Sequence, residues 1–195
     1  MDATRRHFLD ELYAHGRAHD EAREDRLERL RNVEPETAEL LGVLVRAMGA
    51  ERVLEIGTSN GYSTIWLGDA AEAVGGSVLS LEIEPERTAQ ALDNLTQAGV
   101  HGLVELRTQD AAQALAEFPD SAFDLIFLDA ERREYASYWP DLMRVLRRRG
   151  LLVVDNTLSH ARDLVEFSEL VYSEAGVTST LVTVGAGVLL VVKSA

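Results

Sequence analysis

The chain opens on helical patterning. Phe8, Leu9, Leu12 and Tyr13, and then Leu27 and Leu30, recur at helical spacing among dense charges, which predicts helix over 3–31. Gly16 is expected to break this stretch into two helices. Asn32-Val33-Glu34-Pro35 should stop the second, because the residue before a proline avoids the α region. Pro35 suits the first turn of a new helix running to about Met48, with Leu40, Leu41, Leu44 and Val45 on its inner face.

From residue 52 the pattern becomes regular. Short apolar runs predict strands at Arg52–Ile56, Ser77–Leu81, Val104–Arg107, Phe123–Leu128 and Leu151–Val154. Each precedes an amphipathic stretch: Ser63–Ala73, Pro85–Ala98, Ala111–Phe118, Tyr135–Leu146 and Ala161–Glu174. Such alternation implies a parallel sheet covered on both faces. Val177–Val184 and Val188–Lys193, joined by Gly185-Ala186-Gly187, predict an antiparallel hairpin instead. The expected fold is therefore α/β and Rossmann-like: a seven-stranded sheet of five parallel βα units plus a C-terminal antiparallel hairpin, with helices on both faces and extra N-terminal helices. It departs from the six parallel strands of the plain dinucleotide-binding fold. Residues 1–195 read as one domain, with 1–34 a charged helical lid or dimer contact and 35–195 the core.

Composition narrows the chemistry. The chain has 195 residues, 46% hydrophobic and 27% charged, enough for one ordinary globular core. It has no cysteine, which excludes disulfides, thiolate metal sites and cysteine nucleophiles. The N-terminus shows no apolar signal segment and no run is long enough to span a bilayer, so a cytoplasmic protein without a membrane partner is expected. A net charge of −14 weighs against nucleic acid as a partner. The basic run Arg147-Arg148-Arg149 is expected to compensate a helix C-terminal dipole. Of the 19 basic residues only Lys193 is a lysine.

The first predicted strand ends in Leu54-Glu55-Ile56-Gly57-Thr58-Ser59-Asn60-Gly61-Tyr62-Ser63. Glycines between a strand and a helix let the backbone turn tightly beside a ligand, and the helix N-terminus with Ser63 offers donors to an anion. A phosphate-cradling P-loop would need a lysine here, and none is present. The dinucleotide fingerprint needs glycine where Ser59 stands. What remains is a ligand with adenosine and a carboxylate but no phosphate, and S-adenosyl-L-methionine is that ligand. Glu82, at the tip of the second strand, can accept the ribose hydroxyls and is preferred over Glu84. Asp110 can contact the adenine amino group, cap the helix that follows it, or do both. Around the first turn the expected cofactor contacts are Glu55, Gly57, Thr58, Gly61 and Ser63. Across the crevice they are Glu82, Ile83, Asp110, Ala111 and Asp129.

The Glu-Ile-Gly-Thr-x-x-Gly-Tyr-Ser segment with Leu-Glu-Ile-Glu-Pro after it resembles the catechol and caffeoyl-CoA O-methyltransferase family, from about Pro35 through Asn156. The resemblance implies a seven-stranded class I methyltransferase fold, Glu82 on the ribose and Ser63 near the methionine carboxylate.

Asp129 closes the fourth predicted strand and Asp155-Asn156 the fifth. Two carboxylates and an amide oxygen form a hard donor set, suited to Mg²⁺, Ca²⁺ or Mn²⁺. The resemblance implies that Asp129, Asp155 and Asn156 hold a divalent cation that binds two oxygens of a catechol-like acceptor. It also implies a lysine as general base where this chain has Arg132. Arginine keeps its proton at neutral pH, so Arg132 would stabilise a phenolate, bind an acidic substrate, or stand idle beside Arg133. Proton removal would fall to the metal alone, to Glu131 or Glu134, or to His160, whose ordinary pKa suits the task. Tyr135 and Tyr138 match family tyrosines and are expected to pack the helix start. Thr157–Arg162 lacks the Trp and Gly frequent in relatives, and Ala186 stands where they often carry an acid.

The expected activity is methyl transfer to a hydroxyl of a small aromatic acceptor by a homodimer. The alternatives are a metal-independent, N-directed or RNA-modifying methyltransferase, or a binder of the cofactor without catalysis.

Overall fold

The computed structural model describes residues 1–25 and 28–194, so Leu27 lies outside the described residues. Its sheet has seven strands: β1 (Arg52–Ile56), β2 (Ser77–Glu82), β3 (Val104–Thr108), β4 (Phe123–Leu128), β5 (Leu146–Val154), β6 (Val177–Val182) and β7 (Val188–Lys193). They lie in the order β3-β2-β1-β4-β5-β7-β6. The first five are parallel, and β7 pairs antiparallel with both β5 and β6, as the pattern predicts. β1 neighbours both β2 and β4, so the chain reverses its direction of travel there. A crevice opens at such a switch point, beyond the carboxyl ends of the strands.

Helices cover both faces because the strands are apolar on both. The residues of β4 are all buried. One face packs against α1 (Ala3–Glu21), α2 (Pro35–Met48), α3 (Tyr62–Val74) and α4 (Pro85–Gln97), through Leu9, Leu41, Val45, Ile65 and Leu95. The other packs against α5 (Ala111–Glu117), α6 (Tyr135–Val145) and α7 (Val165–Ser173), through Leu115, Tyr135, Leu142 and Phe167. Among the described residues, no helix is long and apolar enough to cross a membrane.

Two expectations are corrected. Helix α1 runs unbroken through Gly16, and no second α-helix follows among the described residues before Pro35. Gly16 is buried in the helix because a β-carbon there would overlap the Asn32 amide, standing 3.2 Å from its Cγ. The glycine serves a close approach, which outweighs its helix cost of about 1 kcal/mol. Second, Arg147–Arg149 lies inside β5, not between a helix and a strand. Pairing jumps from Phe123↔Leu146 to Leu125↔Leu151, so the run bulges out, with Arg149 at φ 61°. Arg147 donates to the carboxylate of Asp124, which also accepts from Arg52. The run answers a buried acid of the sheet, not a helix dipole.

Candidate cofactor and acceptor site

Strands β1, β2, β4 and β5 end on one rim, around a crevice of about 1060 Å³. That volume suits a ligand of cofactor size.

The turn after β1 is shaped by close packing. Gly57 has φ 104°, and a β-carbon there would overlap the Asp129 carbonyl, standing 2.7 Å from its carbon. Gly61 has φ 87° and faces Ala91, whose Cβ would be 3.3 Å from an added β-carbon. As the cap of α3, Gly61 offers no side chain; the Tyr62 N–H donates to Asn60 Oδ1 at 3.3 Å, and the following N–H groups of the first turn are left for an anionic group. Thr58 shares a hydrogen bond with Ser80 at 2.5 Å and lines the crevice.

Glu55 and Ser63 differ from expectation. Glu55 is fully buried beneath the turn, where its carboxylate accepts from Ser63 Oγ at 2.6 Å, from Ser80 Oγ at 2.6 Å and from Thr64 Oγ1. Burial pushes its pKa up to about 7, and the three hydroxyl donors oppose that only in part. Glu55 therefore holds the start of α3 from below. The single hydroxyl hydrogen of Ser63 is committed to Glu55, so any ligand at Ser63 meets its oxygen or the backbone.

Glu82 lies on the opposite wall, and its carboxylate gathers three backbone N–H groups. Ser59 donates at 2.8 Å, Ile83 at 2.9 Å and Glu84 at 3.1 Å. These bonds fix the carboxylate at the β2 tip and tie it to the turn after β1, across the switch point. Ile83 is exposed on the crevice rim. Asp110 caps α5 by accepting from the Gln113 N–H at 3.0 Å, and with Ala111 it also lines the crevice. The cap leaves its other oxygen available.

At the far end β4 and β5 deliver Asp129, Asp155 and Asn156 together. The Asn156 amide nitrogen lies 3.0 Å from Asp129 Oδ1 and 3.0 Å from Asp155 Oδ2. Burial raises the pKa of both acids, and for Asp129 the neighbouring Asp155 charge adds to it. Asp155 Oδ1 is sealed from solvent without a hydrogen-bond partner. Among the described residues no cluster of three or more His, Asp or Glu could hold a metal ion. The donor set is two carboxylates and an amide, and it fits a hard cation that keeps several waters. Rotating the Asn156 amide by a half-turn presents its oxygen in place of its nitrogen.

Arg132 and His160 line the same crevice. His160 Nδ1 is 2.9 Å from Ser159 Oγ. Arg132 is buried, with Nε 3.6 Å from Asp163. Lys193 is engaged elsewhere, donating to the Met143 and Leu146 carbonyls at 2.6 and 2.8 Å. Tyr135 is buried and donates to the Ala130 carbonyl at 3.1 Å, holding the turn after Asp129. Tyr138 packs beside it and Ala186 reaches the rim.

A sequence profile described as "O-methyltransferase" matches residues 17–194. The chain belongs to the O-methyltransferase family. It is 34% identical over 140 residues to a catechol O-methyltransferase of Niastella koreensis, covering 70% of this chain and 63% of that protein. It is 37% identical over 134 residues to a catechol O-methyltransferase of Mycobacterium tuberculosis, covering 69% and 60%. The chain thus spans less than two thirds of the length of these relatives. The solved O-methyltransferase from Bacillus cereus in complex with SAH is similar at a TM-score of 0.80 and 26% identity, over 96% of this chain and 90% of that one.

In this family member the crevice also has a wall that sequence reasoning missed. Leu30–Glu34 lines it, running from α1 toward α2. Asp20 accepts from the N–H groups of Leu30 at 2.7 Å and Arg31 at 2.8 Å. Ser59 Oγ donates to the Leu30 carbonyl at 2.6 Å, and Arg31 pairs with Glu131 at 2.8 Å. The segment straps the turn after β1 to the turn after β4. No local signal marks it, because its partners are distant in sequence.

Proposed function

We propose that this chain is an S-adenosyl-L-methionine-dependent O-methyltransferase that moves a methyl group to a hydroxyl of a small, catechol-like aromatic acceptor, with a divalent cation assisting. The observation that carries this reading is the packing of the cofactor-type turn directly onto Asp129, through Gly57. A methyl donor held by the turn would face an acceptor held at the ends of β4 and β5. In-line displacement needs that alignment, which supplies much of the rate.

The roles divide by wall. Glu82, fixed by three N–H groups, is placed to accept ribose hydroxyls. The open first turn of α3 suits the methionine carboxylate. Asp129, Asp155 and the Asn156 amide oxygen would hold the cation, which when bound lowers the pKa of the acceptor hydroxyl and fixes its oxygen. Asp155 Oδ1, buried and unpartnered, supports that assignment.

The test is mass-shift detection of methyl transfer from S-adenosyl-L-methionine to a panel of catechols, with and without EDTA, beside calorimetry of S-adenosylhomocysteine and NAD. EDTA-sensitive transfer and micromolar S-adenosylhomocysteine binding are expected. Tighter binding of NAD would overturn the cofactor, and transfer unaffected by EDTA would overturn the cation.

A further inference from the structure

One guanidinium nitrogen of Arg132, Nε, is buried without a hydrogen-bond partner, and the residue lines the crevice. The residue is 6% exposed, yet its side chain makes no hydrogen bond to any described residue. Its ion pair is with half-exposed Asp163, whose oxygen stands 3.6 Å from Nε. That distance is too long for a hydrogen bond. Other arginines of this chain are anchored: Arg144 donates to the carbonyls of Phe118 and Leu115, and Arg147 to Asp124. A guanidinium carries five N–H donors in a planar fork and cannot shed its charge. A buried group of this kind calls for a partner.

The surrounding charges indicate which partner. Arg132 shares the crevice wall with Asp129 and Asp155. The charge of Arg132 acts on both of these carboxylates. A divalent cation there would balance them, and Arg132 would then add a positive charge whose one ion pair among the described residues is with half-exposed Asp163. A lysine could enter neutral and become charged by taking the acceptor's proton. Arginine is charged before the acceptor arrives and before its hydroxyl ionises, so an acceptor that already carries an anion is favoured.

We propose that Arg132 is a specificity-determining residue that pairs with a carboxylate on the acceptor, so that the preferred substrates are hydroxylated aromatic acids. The planar fork matches a carboxylate with two parallel N–H···O bonds. This inference rests on the methyl-transfer reading above.

Calorimetry of the protein loaded with S-adenosylhomocysteine and Mg²⁺ compares 3,4-dihydroxybenzoate with its methyl ester, which keeps both hydroxyls and loses the charge. The acid is expected to bind tighter, on the order of 30-fold. The ratio should fall toward one in Arg132→Gln and be partly kept in Arg132→Lys, which retains charge without the fork. S-adenosylhomocysteine affinity reports that each variant is folded. Equal affinity for acid and ester, or a preference that survives Arg132→Gln, overturns the proposal. Methyl-transfer assays on the same pair separate the two readings. Acid preference in binding without transfer to either compound upholds the anion site and overturns the methyl-transfer reading. Transfer with no preference in binding does the reverse.

Discussion

Gly57 lies so close to Asp129 that a β-carbon on it would stand 2.7 Å from the Asp129 carbonyl carbon. The contact welds the turn after β1 to the end of β4, and so the proposed cofactor wall to the proposed acceptor wall. Gly57→Ala meets both a backbone overlap and an unfavourable φ of 104°. The variant should lose roughly 2–4 kcal/mol of stability in urea denaturation, by strain and displaced backbone. Its affinity for S-adenosylhomocysteine should fall with it. A wild-type denaturation midpoint would show that the rim yields freely.

Glu82 ties the tip of β2 to the turn after β1, where the proposed cofactor's ribose would lie. Glu82→Ala should weaken S-adenosylhomocysteine by roughly 100-fold or more, since charge-assisted hydrogen bonds are lost and Ser59 N–H is released. Glu82→Gln keeps one acceptor and should lose less. Calorimetry on the pair decides between ligand contact and loop support: equal losses point to the charge, and a small loss in Gln points to the shape.

Asp155 tests the cation. Asp155→Ala should abolish EDTA-sensitive methyl transfer and Mn²⁺ binding in equilibrium dialysis, with S-adenosylhomocysteine affinity within about threefold of wild type, because the cofactor wall and the acid pair share few groups. Catechol methylation at the wild-type rate in EDTA would refute the assignment.

Glu55 gives a pH signature away from that pair. Its pKa is raised from 4.5 to about 7 in the folded protein, with burial the largest cause. The folded state therefore holds a proton that the unfolded chain releases above pH 4.5. The contribution to stability is greatest below pH 4.5 and is lost as pH rises through about 7. The span corresponds to about 3 kcal/mol. Glu55→Gln removes this titration, so the gap in stability between wild type and variant should shift in the variant's favour between pH 4.5 and 7. A gap independent of pH across that window, in urea denaturation, would contradict the buried acid's role.

The sequence by itself determined the architecture and the sites' raw materials. Alternating runs set five parallel βα units, and glycines at 185 and 187 set the hairpin, because apolar period and turn chemistry act locally. The same pattern put Glu82, Asp129 and Asp155 at strand ends, since the carboxyl ends of the buried parallel strands form the rim of the crevice. Tertiary structure decided what each of them meets. Glu55 reads as a rim acid of the motif, yet β2 packs Ser80 against it and buries it whole. Gly16 reads as a helix breaker, yet it accommodates Asn32. The strap from Leu30 to Glu34 depends on Asp20, Ser59 and Glu131, which come from separate parts of the chain. Arg132 shows the limit most clearly. Its identity departs from the family in the sequence, but its burial without a hydrogen bond follows from the packing of the turn after β4 against the segment that carries Asp163. Contacts between residues far apart in the chain depend on register and packing, and no local pattern encodes them.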